Sequence, residues 1–515
     1  MSSSISKLRL KYGRGDVPKK NQHSQNTIKK ICISKIEKKD HDELNGLTVN
    51  IVGAGFAGLF CGWILGNAGF DVNIYEATDQ LGGRVRTQQN DNRLIEEGGE
   101  LIGLCHPLWL HLARHFGLSL SVVIPEQDYE GSGLDIPIVI DGVTLSNEEV
   151  QKAESSLDEI LMKISEDAKK IKYPSQPWRE NDEIKKLDLI SVADKLDEFK
   201  FEGHGRKLFE LQQESDNGSL CSEQSYLGLL CQVKVRENFD PKNFWDTIEV
   251  FRCSNGNQAL AHALAKGKNV KVHTNTVCTG ISYNETLKKM EIKTSSGTSI
   301  SHFTILTIPP TTFDNITFNP KIDLNKYNVS MGISRKVISE VDSRFWISEN
   351  LSPNGLSTNF GNVWETTENQ TILSETEQNI YLSSFLVDPI VLKNFDAEYS
   401  KKMDVIFRDK YSKHLISKKL IDWPTEIYTK CGYSYAGIGV STTNGKNLYY
   451  PLEEYNNKLY FAGEHTHMSL YGYMEGALES GLRAAKQIIE SCAHDKSLKN
   501  QNILELIDYI DSDKD

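Results

Sequence analysis

Residues 48–77, TVNIVGAGFAGLFCGWILGNAGFDVNIYEA, leave few folds open to the chain that carries them. Val49, Ile51 and Val52 spell a short apolar strand, and Gly53, Gly55 and Gly58 form a G-x-G-x-x-G turn. Residues 59–67 then read as a helix of small and apolar side chains that Gly69 ends, and Val72, Ile74 and Tyr75 alternate as a second strand closing on Glu76. Each part answers a physical demand. Gly53 permits the tight turn, Gly55 lets backbone approach a pyrophosphate, and Gly58 lets the helix lie close on the strand. The helix N-terminus offers free N–H groups and positive dipole to phosphates. Glu76, at the strand end, is set to accept from ribose hydroxyls and disfavours a 2′-phosphate. The expected ligand is FAD or NAD, not NADP, on a Rossmann-like α/β domain.

Charge and composition narrow the class further. The net charge of −12 hides an asymmetry: residues 1–46 hold eleven Lys and Arg against five Asp and Glu, which leaves the rest at −18. So acidic a body argues against nucleic acid as the main partner. The basic segment, rich in Ser, Lys, Asn and Gln, cannot bury enough apolar surface to fold alone and is expected to be a disordered tail. Its opening, SSSISKLRLKYGRG, also resembles an organelle transit peptide. No run approaches the eighteen or more apolar residues of a membrane span, so a soluble, cytoplasmic protein is expected. Nine cysteines without a C-x-x-C pair make no disulfide framework and fit a reducing compartment.

Residues 77–87, ATDQLGGRVRT, follow the fingerprint directly, and Gly82, Gly83, Arg84 and Thr87 match a G-G-R-x-x-T motif. Together the two motifs resemble the flavin amine oxidase superfamily. That resemblance selects FAD and runs the glycine pair and Arg84 along its pyrophosphate. Glu97, Gly98 and Gly99, ahead of a helix carrying Leu108, Leu112, Ala113 and Phe116 on one face, resemble the family's acid-Gly-Gly element beside the flavin. Glu100 departs from the pattern. A carboxylate there would attract a cationic amine or carry protons, or it would be an ordinary ion pair.

Further along, residues 251–308 read as a helix and an alternating set of strands, and the resemblance implies that Val277 meets the adenine. Residues 331–346, MGISRKVISEVDSRFW, resemble the strand that carries the flavin-facing lysine, which makes Lys336 the catalytic cation expected to assist reaction of reduced flavin with oxygen. Residues 459–485, LYFAGEHTHMSLYGYMEGALESGLRAA, place Gly463 and Glu464 after a strand, and Gly472, Tyr473 and Met474 at the start of a helix. Amides at such a helix end suit an isoalloxazine carbonyl oxygen that gains negative character on reduction. The resemblance gives Glu464 the ribityl or phosphate region and makes Tyr473 one wall of the substrate site. Tyr433, in CGYSYAG after Trp423, is the expected second wall. Covalent members have Cys immediately before that tyrosine. Here Gly432 stands there, so FAD is expected to be non-covalent, in a form that looks more like the polyamine oxidase and lysine demethylase branches. Glu100 and Leu101 occupy the place where L-amino acid oxidases carry an arginine, which counts against amino-acid substrates.

The resemblance implies a discontinuous Rossmann-like FAD-binding domain over 47–125, 250–308 and 425–492. An α+β substrate-binding domain of the amine oxidase type is expected over 126–249 and 309–424, where stretches such as EEVQKAESSLDEILMKISEDAKKI have helical periodicity. Residues 493–515 form a C-terminal tail. The expected activity is FAD-dependent oxidation of a small-molecule amine to an imine and then an aldehyde, with molecular oxygen as acceptor and hydrogen peroxide as product. Two alternatives remain open: a flavin desaturase or porphyrinogen-type oxidase, and an inactive flavoprotein scaffold. Monomer and homodimer are both open.

Overall fold

The computed structural model describes residues 44–493 apart from 91–92, 125–128, 237–239, 246, 359, 369, 371–378 and 387–392. The tails expected over 1–46 and 493–515 fall almost wholly outside these residues. The fingerprint folds as strand β1 (Thr48–Val52), helix α1 (Phe56–Asn67) and strand β2 (Asp71–Tyr75). These strands join three distant ones in a parallel five-stranded sheet ordered Leu459–Phe461, Phe303–Leu306, β1, β2, Val270–His273. The register sets Val52 beside both Tyr75 and Leu306. Every residue of α1 is buried, in keeping with a helix that is apolar all round. Gly58 and Gly481 explain how it is sandwiched. A Cβ on Gly58 would fall 2.1 Å from Gly53 O, and one on Gly481 would fall 2.4 Å from Ala57 O. The first glycine seats α1 on the sheet and the second seats the C-terminal helix (Met474–Ala493) on α1.

The expectation of one alternating set of strands across 270–308 is corrected. Only Cys278–Asn284, Lys289–Thr294 and Gly297–Ser301 form the antiparallel meander, with Thr317–Asn319 added in parallel at its edge. Val270–His273 and Phe303–Leu306 belong to the parallel sheet instead. Burial explains the division: Phe303–Leu306 is buried at every position, as a strand covered on both faces must be, whereas Lys289–Thr294 buries alternate residues.

A seven-stranded mixed sheet makes the opposite half, ordered Leu415–Ile421, Arg335–Val341, Ile380–Leu386, Gly361–Glu365, Gly355–Ser357, Ile138–Ile140, Val143–Thr144. Helices Asn147–Ala168, Gly203–Asn217 and Tyr226–Lys234 share one apolar core with Ile138, Ile140 and Leu356. The first of these starts at a capping box between Ser146 and Glu149, so its beginning is set locally. The helical periodicity read across 126–249 gave no sign of strands Ile138–Ile140 and Val143–Thr144. Among the described residues no helix is long and apolar enough to cross a membrane.

Candidate cofactor and substrate cavity

A cavity of about 750 Å³ opens where β1, β2, Phe303–Leu306 and Leu459–Phe461 end, and its far wall is the seven-stranded sheet. In open parallel sheets that carboxyl-end crevice is where ligands bind. Gly53, Gly55, Glu76, Gly83, Arg84, Glu100, Val277, Lys336, Tyr433, Gly463, Glu464, Tyr473 and Met474 all line it. Gly58 does not; it lies on the face of α1 turned to the sheet, where a Cβ would meet Gly53 O.

The fingerprint end suits a dinucleotide. Gly53 has φ +106°, and a Cβ there would strike Thr307 Oγ1 at 2.6 Å. Phe56 and Ala57, in the first turn of α1, line the cavity, and no side chain caps that helix end. Its amides are therefore available to phosphate oxygens, with no acidic residue in the first turn to compete. Gly55 bridges to Gly82, which brings the G-G-R segment against the fingerprint loop. Glu76 Oε2 accepts from Ala54 N at 2.9 Å, and its Oε1 accepts from Thr78 N at 2.9 Å and Thr78 Oγ1 at 2.8 Å. These bonds hold the carboxylate at the cavity wall. Val277 differs from expectation in one respect: its N–H donates to Ser295 Oγ at 3.1 Å and its carbonyl accepts from Ser295 N at 2.8 Å. An adenine contact to its N–H requires that hydroxyl to turn away.

Glu464 organises the middle of the cavity. Oε1 accepts from Arg84 Nη1 at 2.7 Å and Ser434 N at 3.2 Å, and Oε2 accepts from Gly472 N at 2.7 Å and from the Ser434 hydroxyl. Burial pushes the carboxyl pKa up, but Arg84, His465 and these hydrogen bonds outweigh it and the pKa falls below the usual value. One buried carboxylate thus ties the residue after Tyr433 to the residue before Tyr473. Gly472 completes the arrangement, since a Cβ there would touch the Tyr433 ring at 3.4 Å. Arg84 Nη1 also donates to Gly432 O at 3.0 Å.

The seven-stranded sheet supplies Lys336, 2% exposed on strand Arg335–Val341. Its Nζ donates to Glu100 Oε2 at 2.6 Å and Gly98 O at 3.3 Å, and sits 5.3 Å from the Trp364 ring centre. Glu100 Oε1 accepts from Arg252 Nε at 2.8 Å, Trp364 Nε1 at 3.0 Å and Thr366 Oγ1 at 2.7 Å. Arg252 reaches on to Glu368 at 2.8 Å, and Glu368 takes the Tyr129 hydroxyl. Burial raises the Glu100 pKa, yet Lys336 and Arg252 together hold it at about 2.

Sequence reading found Lys336 and Glu100 but not Arg252, Glu368, Trp364 or Phe385. Arg252 sits in a three-residue strand, and no periodicity distinguishes it from a solvated arginine. Asp216, which lines the cavity and bonds Trp245 Nε1 at 2.6 Å, gave no signal either. Among the described residues no His, Cys, Asp and Glu group is arranged to hold a metal.

A parallel sheet with an uncapped helix at its carboxyl edge, a carboxylate at the end of β2 and a lysine facing them from a second sheet fit a dinucleotide-dependent oxidoreductase. The family model for flavin containing amine oxidoreductase matches residues 56–489, and the chain belongs to that family. It is an FAD-dependent enzyme of the amine oxidase class. A probable flavin-containing monoamine oxidase A of Dictyostelium discoideum is 23% identical over 465 residues, covering 87% of this chain and 98% of that protein. An L-amino-acid oxidase of Pseudechis australis is 24% identical, covering 86% and 87%. The structure of putrescine oxidase bound to putrescine shares the fold, with a TM-score of 0.72 at 19% identity over 86% of this chain and 99% of that one.

Proposed function

We propose that the cavity oxidises a small amine to an imine with oxygen as final acceptor, using FAD held without a covalent link. The substrate carbon loses a hydrogen and two electrons as the C=N bond forms. Water then adds to that bond, so that an aldehyde and ammonia or a smaller amine leave, while oxygen takes two electrons and two protons to become hydrogen peroxide. FAD supplies the two-electron acceptor that stands between the substrate and oxygen. The convergence of Tyr433, Tyr473 and Lys336 on the cavity that also contains the fingerprint loop is the observation that carries this reading. The names of relatives as monoamine oxidase and putrescine oxidase support it further.

The side chains account for the conditions such a reaction needs. Trp364, Phe385 and Tyr433 pack edge to face at 5.1 and 6.3 Å, and with Tyr473 they enclose the substrate end in aromatic surface. That surface excludes water and favours the uncharged amine, the form with a free electron pair. Asp216 stands in the same lining to take the ammonium proton. Burial pushes its pKa up to about 7, against the opposing pull of Trp245 and Arg236. Lys336 offers its charge to oxygen as negative charge develops there.

Two observations support non-covalent attachment. A Cβ at Gly432 would lie 3.0 Å from Ser334 O, so a linking side chain there would have to displace its neighbours. Among the described cysteines only Cys278 lines the cavity, in the strand that follows Val277. Acid precipitation is expected to release intact FAD into the supernatant; flavin left in the pellet would overturn the non-covalent reading. A panel of monoamines, diamines and polyamines added without oxygen tests the activity. Bleaching of the flavin absorbance by at least one amine is expected, and no bleaching by any of them would leave the protein a flavoprotein scaffold.

A further inference from the structure

Lys336 is 2% exposed, and a buried ammonium without an anion carries a desolvation cost of several kcal/mol that it sheds by losing its proton. Its charge at working pH therefore depends on what surrounds it. Glu100 is the only carboxylate hydrogen-bonded to Nζ among the described residues, at 2.6 Å. Three donors on the other oxygen hold Glu100 in turn: Arg252 from strand Phe251–Cys253, Trp364 from strand Gly361–Glu365, and Thr366 just beyond. The Arg252 guanidinium is shared with Glu368 and with the carbonyl of Glu365. The result is a row of alternating charge, Lys336, Glu100, Arg252, Glu368, ended by the Tyr129 hydroxyl and flanked by the Arg344–Glu365 pair. Glu96 is buried within electrostatic reach of both Lys336 and Glu100. Arg335, next to Lys336 on its strand, is taken by Asp422, and Glu97 is taken by Arg86 and Lys419. An ammonium has three N–H bonds. Glu100 and Gly98 O use two, which leaves one for the cavity that Lys336 lines.

We propose that Glu100 is the positioning residue that keeps the Lys336 ammonium paired and pinned toward the cavity, braced by the Arg252–Glu368 pair behind it. The consequence for oxygen rests on the proposed function; the pinning itself does not. Removing the Glu100 charge leaves Lys336 no hydrogen-bonded carboxylate among the described residues, with Glu96 acting only from a distance, whereas Arg252 keeps its direct bond to Glu368.

Glu100→Gln keeps the shape and an oxygen for Trp364 and Thr366 while deleting the charge. The flavin is reduced with dithionite, which makes the experiment independent of any amine, and is mixed with oxygen at pH values from about 6 to 10, a span that brackets the values a buried lysine takes. The parent profile is the reference, because Asp216 and Glu96, each raised to about 7 by burial, titrate within that span. Glu100→Gln should match the parent at the acid end and fall about tenfold below it as pH rises, while Glu100→Asp, which retains the charge, follows the parent. Glu100→Gln with Lys336→Met should be slow at every pH. A Glu100→Gln profile parallel to that of the parent, whether fast or slow, overturns the proposal. Urea unfolding supplies a readout that needs no flavin: the midpoint shift caused by Glu100→Gln should shrink by about half or more when Lys336 is already Met. Equal shifts in both backgrounds would also overturn it. If Glu100→Gln alone fails to fold, the pairing requires that the double variant fold, and its failure counts against the proposal. A preparation that takes up no FAD would refute the proposed function instead, and the unfolding comparison would still judge the pair.

Discussion

Lys336 illustrates what a residue's neighbours add to its identity. The motif register marked it as a cation facing the cofactor, and the strand Arg335–Val341 does turn it to the cavity. Replacing it with Met keeps length and packing and removes the charge. Arg252 continues to balance Glu100 at 2.8 Å, so Lys336→Met is expected to fold, bind FAD and be reduced by its amine. Its reduced flavin should meet oxygen at least about tenfold more slowly, some 1.4 kcal/mol in the barrier. Stopped-flow traces equal to the parent's would make Lys336 a structural residue. Glu76 makes a binding claim instead. With Glu76 proposed as the ribose acceptor, Glu76→Ala is expected to leave ribose hydroxyls unpaired, and it frees Ala54 N and Thr78 from the bonds that fix the loop. FAD affinity should weaken by about 1–3 kcal/mol, read by fluorescence titration, and an unchanged affinity would locate the ribose elsewhere. Both residues were legible because their meaning lies in short spacings. Arg252 was not, since its partners Glu100 and Glu368 stand 152 and 116 residues away along the chain.

At the scale of elements, legibility followed the same rule. β1, α1 and β2 could be read in full because turn, helix and strand signals sit within thirty residues of one another. Helix Asn147–Ala168 was legible from its periodicity, while its start, at the Ser146–Glu149 capping box, emerged only in the structure. Strand Ile138–Ile140 did not, because three residues carry no periodicity and its partner strand Gly355–Ser357 is far along the chain. Glu475 shows how elements depend on one another near the cavity. From the first turn of the C-terminal helix it accepts the N–H of Leu108 at 2.7 Å and of Trp109 at 2.9 Å, which caps helix Pro107–His115. Glu475→Ala leaves those buried donors unpaired, so a loss of about 1–3 kcal/mol is expected in urea unfolding. Because Glu475 follows Tyr473 and Met474 closely, the same variant should also weaken FAD binding, and a stability loss with unchanged affinity would separate the cap from the site.

On the scale of the whole molecule, the cavity lies between two sheets whose walls are joined by hydrogen bonds and ion pairs, Arg252 to Glu368 and Glu100 to Trp364 and Thr366 among them. Lys336 Nζ reaches Gly98 O and Glu100, Trp423 Nε1 donates to Glu97 O at 3.0 Å, and Arg84 donates to Gly432 O. A cofactor filling about 750 Å³ between these walls makes contacts with both, so its removal is expected to loosen the halves together. A ligand that binds only the native state stabilises it by about 2.7 kcal/mol at a free concentration of 100 times its dissociation constant. Trp63 and Trp109 report on the parallel-sheet half, and Trp346 and Trp364 report on the other. Single-tryptophan variants that keep Trp109 or Trp346 therefore follow each half separately during urea unfolding. With FAD added, both probes are expected to move to higher urea by the same amount and to coincide, as one cooperative unit does. With FAD stripped, both midpoints should drop together, and Glu76→Ala should need about 5- to 150-fold more FAD to restore them, the concentration equivalent of 1–3 kcal/mol. A shift confined to the Trp109 probe would mean that FAD is held by the parallel-sheet half alone, and the seven-stranded sheet would lose its place as the far wall of the cofactor site.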